Sequence, residues 1–243
     1  CKTGRPVSPL YIHDDQSQAL GAAPKFRIGL ALDCLAGALK DKGSHLTLRR
    51  GDDALAVLRE VIEETGAGAV YWSRLYDPDA RDRDSKIKEA LKDEDIEACS
   101  FAGHLMFEPW TVETKQGEYY KVFKPYWKAV RGRDVAEPLS VPKEIKAPGS
   151  WPKSDDLSDW RLDAEMQRGR DVVRPHARVG EAAAQSRLGA FAAHIIEGYD
   201  DSRDKPAEDG TSAISEHLTY GQITPMQCLH ASQRAMQECK KGA

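Results

Sequence analysis

The chain is poor in cysteine, with five in 243 residues, and it has no C-x-x-C pair. An odd count without that spacing argues against a disulfide framework and a zinc site, and it points to a reducing, cytoplasmic setting. No apolar run approaches the length of a membrane span, and the opening residues lack the basic-then-apolar layout of a secretory signal. A soluble protein with no membrane partner is expected. The histidines (His13, His45, His104, His176, His194, His217 and His230) fall at no ligand spacing, so no metal is expected. Positive charge is not in excess either. With 35 Lys and Arg against 39 Asp and Glu the formal net charge is −4, which excludes a global basic field; any nucleic-acid contact must be local. An initiating methionine is also missing, and the chain opens Cys1-Lys2-Thr3-Gly4-Arg5-Pro6, as a piece of a longer protein would.

What the chain does have is alternation. Val7 to His13 is a short apolar run that stops at Asp14-Asp15-Gln16 and reads as a strand. Ile28, Ala31, Leu32, Leu35 and Leu39 share one face of a helix over 24–42, with Pro24 near its start and Gly43 just past its end. Leu46-Thr47-Leu48 is a second strand. Asp52 stands where it would cap a helix carrying Leu55, Leu58, Val61 and Ile62, which Gly66 ends. A third strand at 69–72, a charged helix at 78–93 and a fourth strand at 96–101 follow. Strands alternating with helices imply parallel pairing through right-handed crossovers, so the first half is an α/β sheet domain.

Between 133 and 175 the period lapses: Pro138, Pro142, Pro148, Pro152 and Pro175 interrupt a polar stretch that holds Trp151 and Trp160. Two tryptophans in a connector imply that it packs along a surface, because each offers a large apolar area. Helical patterns return at 179–197, 212–219 and 225–240, so the second half is all-helical. The run Lys121, Lys124, Tyr126, Trp127, Lys128, Arg131 and Arg133 has two readings. It is a nucleic-acid patch, or an amphipathic helix with buried aromatics and solvated lysines; the second is favoured.

The most informative segment is Gly198-Tyr199-Asp200-Asp201-Ser202-Arg203-Asp204-Lys205-Pro206, followed by Gly210-Thr211-Ser212-Ala213-Ile214-Ser215-Glu216-His217-Leu218. It puts an aromatic ring, an arginine and a run of hydroxyl residues at a helix start, the equipment that holds a phosphate-bearing cofactor. Local rules alone favour a plainer reading, in which Ser212 caps its helix and Arg203-Asp204 is a surface pair beside a half-buried Tyr199.

This segment resembles the photolyase and cryptochrome family, whose members carry a similar tyrosine, Arg-Asp, a proline and Gly-Thr-Ser-x-Leu-Ser-x-His-Leu. A second series resembles the same family's antenna domain, in order: Gly51-Asp52, Glu64-Thr65-Gly66-Ala67, Ala69-Val70-Tyr71-Trp72, Arg74-Leu75-Tyr76-Asp77-Pro78, Glu108-Pro109-Trp110 and Tyr120-Lys121-Val122-Phe123-Lys124-Pro125-Tyr126-Trp127. The resemblance spans about 7–240 and is most like a class I cyclobutane pyrimidine dimer photolyase. The family's opening strand, Trp-Phe-Arg-Arg-Asp-Leu-Arg, has no counterpart here, which would leave sheet edges open.

The resemblance implies a Rossmann-like parallel-sheet antenna domain over 1–132, a connector over 133–175 and the first part of an all-α FAD-binding domain over 176–243. It implies FAD as cofactor, contacted by Tyr199, Thr211, Ser212, Ala213, Ile214 and Ser215, and Arg203 beside docked DNA. Ile214 for the family's Leu keeps apolar volume, and Glu216 for its Pro adds negative charge near a diphosphate. A second, antenna chromophore is implied too. Cys99 stands where the folate-binding members place a carboxylate, which disfavours folate and leaves a deazaflavin, a flavin or no antenna open. The implied activity is light-driven repair of cyclobutane pyrimidine dimers in DNA by a monomer, with a cryptochrome-type photoreceptor as the alternative. No catalytic residue is assigned to this chain, because the family's dimer-facing residues lie in helices beyond its reach; alone it is expected to bind FAD weakly and to repair nothing. A flavin-free module like the adenine-nucleotide α-hydrolases ranks lower, since no Gly-rich loop follows the first strand.

Overall fold

The computed structural model describes residues 4–242, with side chains in the last helix described up to Glu238. The chain divides into two units, each described by itself: one takes Cys1–Tyr71, Asp77–Cys99 and Ser140–Ala183, the other Trp72–Tyr76, Ser100–Leu139 and Ala184–Ala243. Along the chain run β1 (Leu10–His13), α1 (Asp15–Gln18), α2 (Ala22–Lys40), β2 (Thr47–Arg50), α3 (Ala54–Thr65), β3 (Ala69–Ser73), α4 (Pro78–Asp93) and β4 (Glu97–Phe101). The helices α5 (Phe123–Val130), α6 (Gly169–Val173), α7 (Glu181–Ala190), α8 (Tyr199–Ser202), α9 (Ser215–Thr219) and α10 (Pro225–Gly242) follow.

The α/β class expected from the alternation is the one observed. β1 and β2 are parallel, with Leu10 opposite Thr47 and His13 opposite Arg50. β3 and β4 form a second ladder. Glu97 N–H donates to Gly68 C=O and Arg74 N–H to Phe101 C=O, so these strands also run the same way. Among the described residues the expected sheet is thus present as two two-stranded ladders. Helix boundaries follow their caps. Asp53, one residue later than expected, caps α3 by accepting the Leu55 N–H, while Asp52 accepts from Gln18 Nε2. Gly66, at φ +65°, ends α3 in the left-handed conformation that glycine adopts at least cost.

The core of the first unit joins Leu32, Leu46, Leu48, Trp160 and Leu162, with Tyr11 and Ile28 packed against it. Trp160 comes from the stretch without periodicity, and it reaches the core because its neighbours lie along β2. Asp155 N–H donates to Leu48 C=O at 2.8 Å, and Leu48 N–H donates to Ser154 Oγ at 3.0 Å. Backbone groups on the free edge of a strand need partners, and this segment supplies them. Trp151 lies edge-on to His45 at 5.5 Å between ring centroids. Trp160 packs as its apolar area requires, whereas Trp151 stays exposed at 36 % with His45 against it.

In the second unit Ala184, Leu188, Ile214 and Ile223 form a core with Leu218, Cys228 and Ala231 against it. α10 opens on a reciprocal cap: Gln227 N–H donates to Thr224 Oγ1 at 3.2 Å and Thr224 N–H donates to Gln227 Oε1 at 2.8 Å. α5 corrects one expectation. It is a helix, but Phe123 and Trp127 are exposed (70 % and 49 %) and only Val130 of this helix is buried. The two rings lie one helical turn apart and stack on each other, centroids 6.3 Å apart and 9° from parallel. Cys34, Cys99 and Cys228 are free thiols, whereas Cys1 and the Cys239 side chain lie outside the described residues. No described helix is long and apolar enough to cross a membrane.

Candidate functional site

Every residue singled out as a flavin or docked-DNA contact lies in the second unit, on α8, on the loop between α8 and α9, or, for Ser215, at the first residue of α9. The helix expected over 179–197 ends as a regular α-helix at Ala190 and widens into a π-helical turn at Phe191–Ile195. Such turns are frequent at functional sites. Phe191 is buried and meets Tyr199 edge to face at 6.0 Å. Tyr199 is therefore held from beneath while 37 % of its surface stays exposed. The Arg203 guanidinium sits 5.8 Å from the Tyr199 ring centroid. Its nearest carboxylate is Asp204, 3.6 Å away and largely exposed. Asp204 is the main cause that pushes the Arg203 pKa up, with the Tyr199 hydroxyl next.

α8 and the loop that follows are brought together at Gly210. A Cβ built there would lie 2.6 Å from the Ser202 carbonyl oxygen, so only glycine lets the two backbones come this close. The loop is then tied down by a residue that no motif in the sequence singles out. Arg187, on α7, donates from Nε to Ser212 C=O and from Nη2 to Thr211 C=O, both at 2.8 Å. It also grips both carboxylate oxygens of Asp209, at 3.0 and 2.6 Å. That pairing lowers the pKa of Asp209 and raises that of Arg187. Its partners lie 22 to 25 residues away, two of them main-chain carbonyls, so no sequence pattern could have flagged it.

The helix expected from Ser212 starts three residues later, at Ser215. Ala213 prevents an earlier start, because its φ of +48° is left-handed. The position before α9 is Ile214, and no side chain caps the helix. Ser212 is therefore not a cap, which removes the plainer reading of that residue. With five residues α9 also has little dipole to offer, so the helix-start argument is replaced by one about the loop. Among the described residues the hydroxyls of Thr211, Ser212 and Ser215 have no hydrogen-bond partner in the protein, and Thr211 and Ser215 are exposed. The Ile214 side chain points into the core, 7 % exposed, leaving its main chain as the part that can face a ligand. His217, buried at 2 %, bonds Gln222 Oε1 through Nδ1 at 2.7 Å and holds the far end of α9.

Chemically, this is a set of free hydroxyls on an exposed loop whose carbonyls are already committed elsewhere, beside an aromatic ring and an exposed cation. It suits an anionic, partly aromatic ligand, and the residues present fit the diphosphate and ribityl part of a dinucleotide such as FAD.

A family model described as DNA photolyase matches residues 1–143. The chain is similar to the deoxyribodipyrimidine photo-lyase of Agrobacterium fabrum, 37 % identical over 94 % of this chain and 48 % of that protein. It is also similar to cryptochrome-1 of Arabidopsis thaliana, 26 % identical over 93 % of this chain and 34 % of that one. Among solved structures, a bacterial class III photolyase from Agrobacterium tumefaciens superposes with a TM-score of 0.87 at 36 % identity, covering 95 % of this chain and 48 % of the other. The resemblance in sequence points most to class I photolyases, whereas this neighbour is of class III; the family is the same. The chain spans about half the length of these photolyases.

Proposed function

We propose, from the premise that this chain belongs to the DNA photolyase family, that its 199–215 segment forms one rim of a flavin site in a light-driven DNA-repair lyase. The observation that carries this reading is the set of unpartnered hydroxyls of Thr211, Ser212 and Ser215 on a loop held by Arg187. In this reading the three hydroxyls and the main chain of Ala213 and Ile214 hold the flavin's diphosphate and ribityl part, and the Tyr199 ring packs against it. Arg203 reaches a DNA phosphate. Its bond to an exposed Asp204 is weak and easily exchanged, whereas a phosphate offers a stronger, charge-assisted partner. Bound there in its reduced form, FAD would supply on excitation the electron that splits a cyclobutane pyrimidine dimer and would take it back once the ring has opened. The dimer is flipped out of the duplex, which costs less for a poorly stacked lesion.

The boundaries at 1–132, 133–175 and 176–243, the start of an all-α FAD-binding domain at 176, and a cytoplasmic monomer acting on DNA belong to the same proposal. For a second chromophore the reading disfavours folate, because Cys99 on β4 stands where, by the resemblance, folate-binding members place a carboxylate; a deazaflavin, a flavin or no antenna remain open. The similarity to cryptochrome-1 supports one alternative, a blue-light photoreceptor that keeps the flavin and does not repair.

The test is repair of a thymine-dimer oligonucleotide under blue light by the protein of the complete reading frame. Light-dependent recovery of intact thymines is expected. Bound flavin without recovery moves the assignment to the photoreceptor, and absence of flavin overturns both readings. The 243-residue chain, with about half the length of its relatives, is expected to purify with well under one flavin per chain and to repair nothing. Stoichiometric flavin absorbance or dimer repair by that chain would contradict this.

A further inference from the structure

We propose that Arg187 is a positioning residue for the flavin diphosphate: it fixes the main chain of 209–212 in the conformation that leaves the hydroxyls of Thr211, Ser212 and Ser215 free for a ligand. The inference rests on the flavin reading above and adds to it a residue outside the motif that identifies the family.

Arg187 lies on α7 between Ala184 and Leu188, which are 0 % and 3 % exposed. Its side chain, three-quarters covered, thereby runs along the edge of the core. From there it takes the Asp209 carboxylate in a two-pronged grip and the carbonyls of Thr211 and Ser212 with its Nη2 and Nε. A planar fork of donors can do this; the single point charge of a lysine cannot. A surface ion pair alone would matter little. The two carbonyl bonds are what set this residue apart, because they decide which way the peptide groups of the loop turn.

The loop is fixed at both ends. Arg187 holds the carbonyls of 211 and 212, and two residues on, Ile214 is anchored in the core with Leu188 and Ile223. The chain between them turns at Ala213 with φ +48°, a conformation that an alanine adopts only when its surroundings impose it. Gly210, pressed against the Ser202 carbonyl, removes the remaining slack. With the carbonyls spent on Arg187, the groups left over are the hydroxyls. The same contact neutralises Asp209, whose negative charge would otherwise stand beside an anionic ligand.

The experiment titrates the protein of the complete reading frame, freed of flavin, with FAD and with riboflavin, which lacks the diphosphate, following flavin fluorescence, and repeats this for R187K and D209N. The unaltered chain is expected to prefer FAD. R187K keeps the charge and loses the fork, and its preference for FAD over riboflavin should fall at least about tenfold. D209N spares both carbonyl bonds and should retain most of the preference. Amide exchange at 211–215 should quicken in R187K while α10 keeps its protection. An unchanged preference in R187K, or an equal loss of both flavins, overturns the positioning role, since a merely structural residue would not separate the two ligands. An unaltered chain without any preference for FAD overturns the flavin reading itself, and shows this before any substitution is made.

Discussion

Replacing Trp160 with alanine is expected to lower the stability of the first unit by about 3–5 kcal/mol, the range for removing a large buried aromatic side chain. The ring is 8 % exposed and packs with Leu32, Leu48 and Leu162. It stacks on His13 at 5.2 Å and donates its indole N–H to Asp155 at 3.3 Å. Its loss leaves a cavity and also loosens the segment that covers the edge of β2 through Ser154 and Asp155. The effect should therefore be larger than that of W151A, whose ring is 36 % exposed and meets one histidine. Urea unfolding followed by circular dichroism measures both. A W160A loss no greater than that of W151A would mean that the 140–162 segment is not part of this core.

Gly210→Ala is the second large effect, and it separates the loop from the rest of the second unit. The added methyl meets the Ser202 carbonyl oxygen at 2.6 Å and its carbon at 2.7 Å, so main chain must move. Forcing a methyl into a packed site costs about 1–3 kcal/mol. Here the movement is delivered directly to 209–212, the stretch that Arg187 holds. The expected outcome is a modest drop in the unfolding midpoint together with loss of most flavin affinity. Gly189→Ala, where a Cβ meets nothing within 4 Å, serves as control and should be neutral or slightly stabilising. Equal flavin affinity in G210A and G189A would show that the close approach of α8 and the loop is irrelevant to the ligand.

The first hundred residues were legible because each element announces itself locally. The face of Leu55, Leu58 and Val61 gave a helix, Asp53 and Gly66 bound it, and Pro78 opens α4 at the residue expected. What failed there was small: a cap displaced from Asp52 to Asp53 and one sheet present as two ladders. The site was legible as a motif and illegible as a geometry. Thr211, Ser212 and Ser215 stood out by residue type, but local rules make Ser212 a helix cap, and only the left-handed Ala213 shows otherwise. Nothing about an alanine in sequence signals that backbone; it is imposed by Arg187 and by burial of Ile214, contacts made far along the chain. The aromatics of α5 were misread for a related reason. Amphipathic periodicity shows which residues share a face, and it does not show whether a partner covers that face.

The central claim is that the loop hydroxyls hold a flavin. The most direct measurement is FAD affinity and bound flavin per chain for the protein of the complete reading frame, with and without the paired change Ser212→Ala and Ser215→Ala. Among the described residues neither hydroxyl has a hydrogen-bond partner, so their removal should leave the unfolding midpoint nearly unchanged. Two bonds to a charged diphosphate should vanish with them, weakening FAD at least about tenfold. A double variant that unfolds normally and binds FAD as tightly as the unaltered protein would contradict the account.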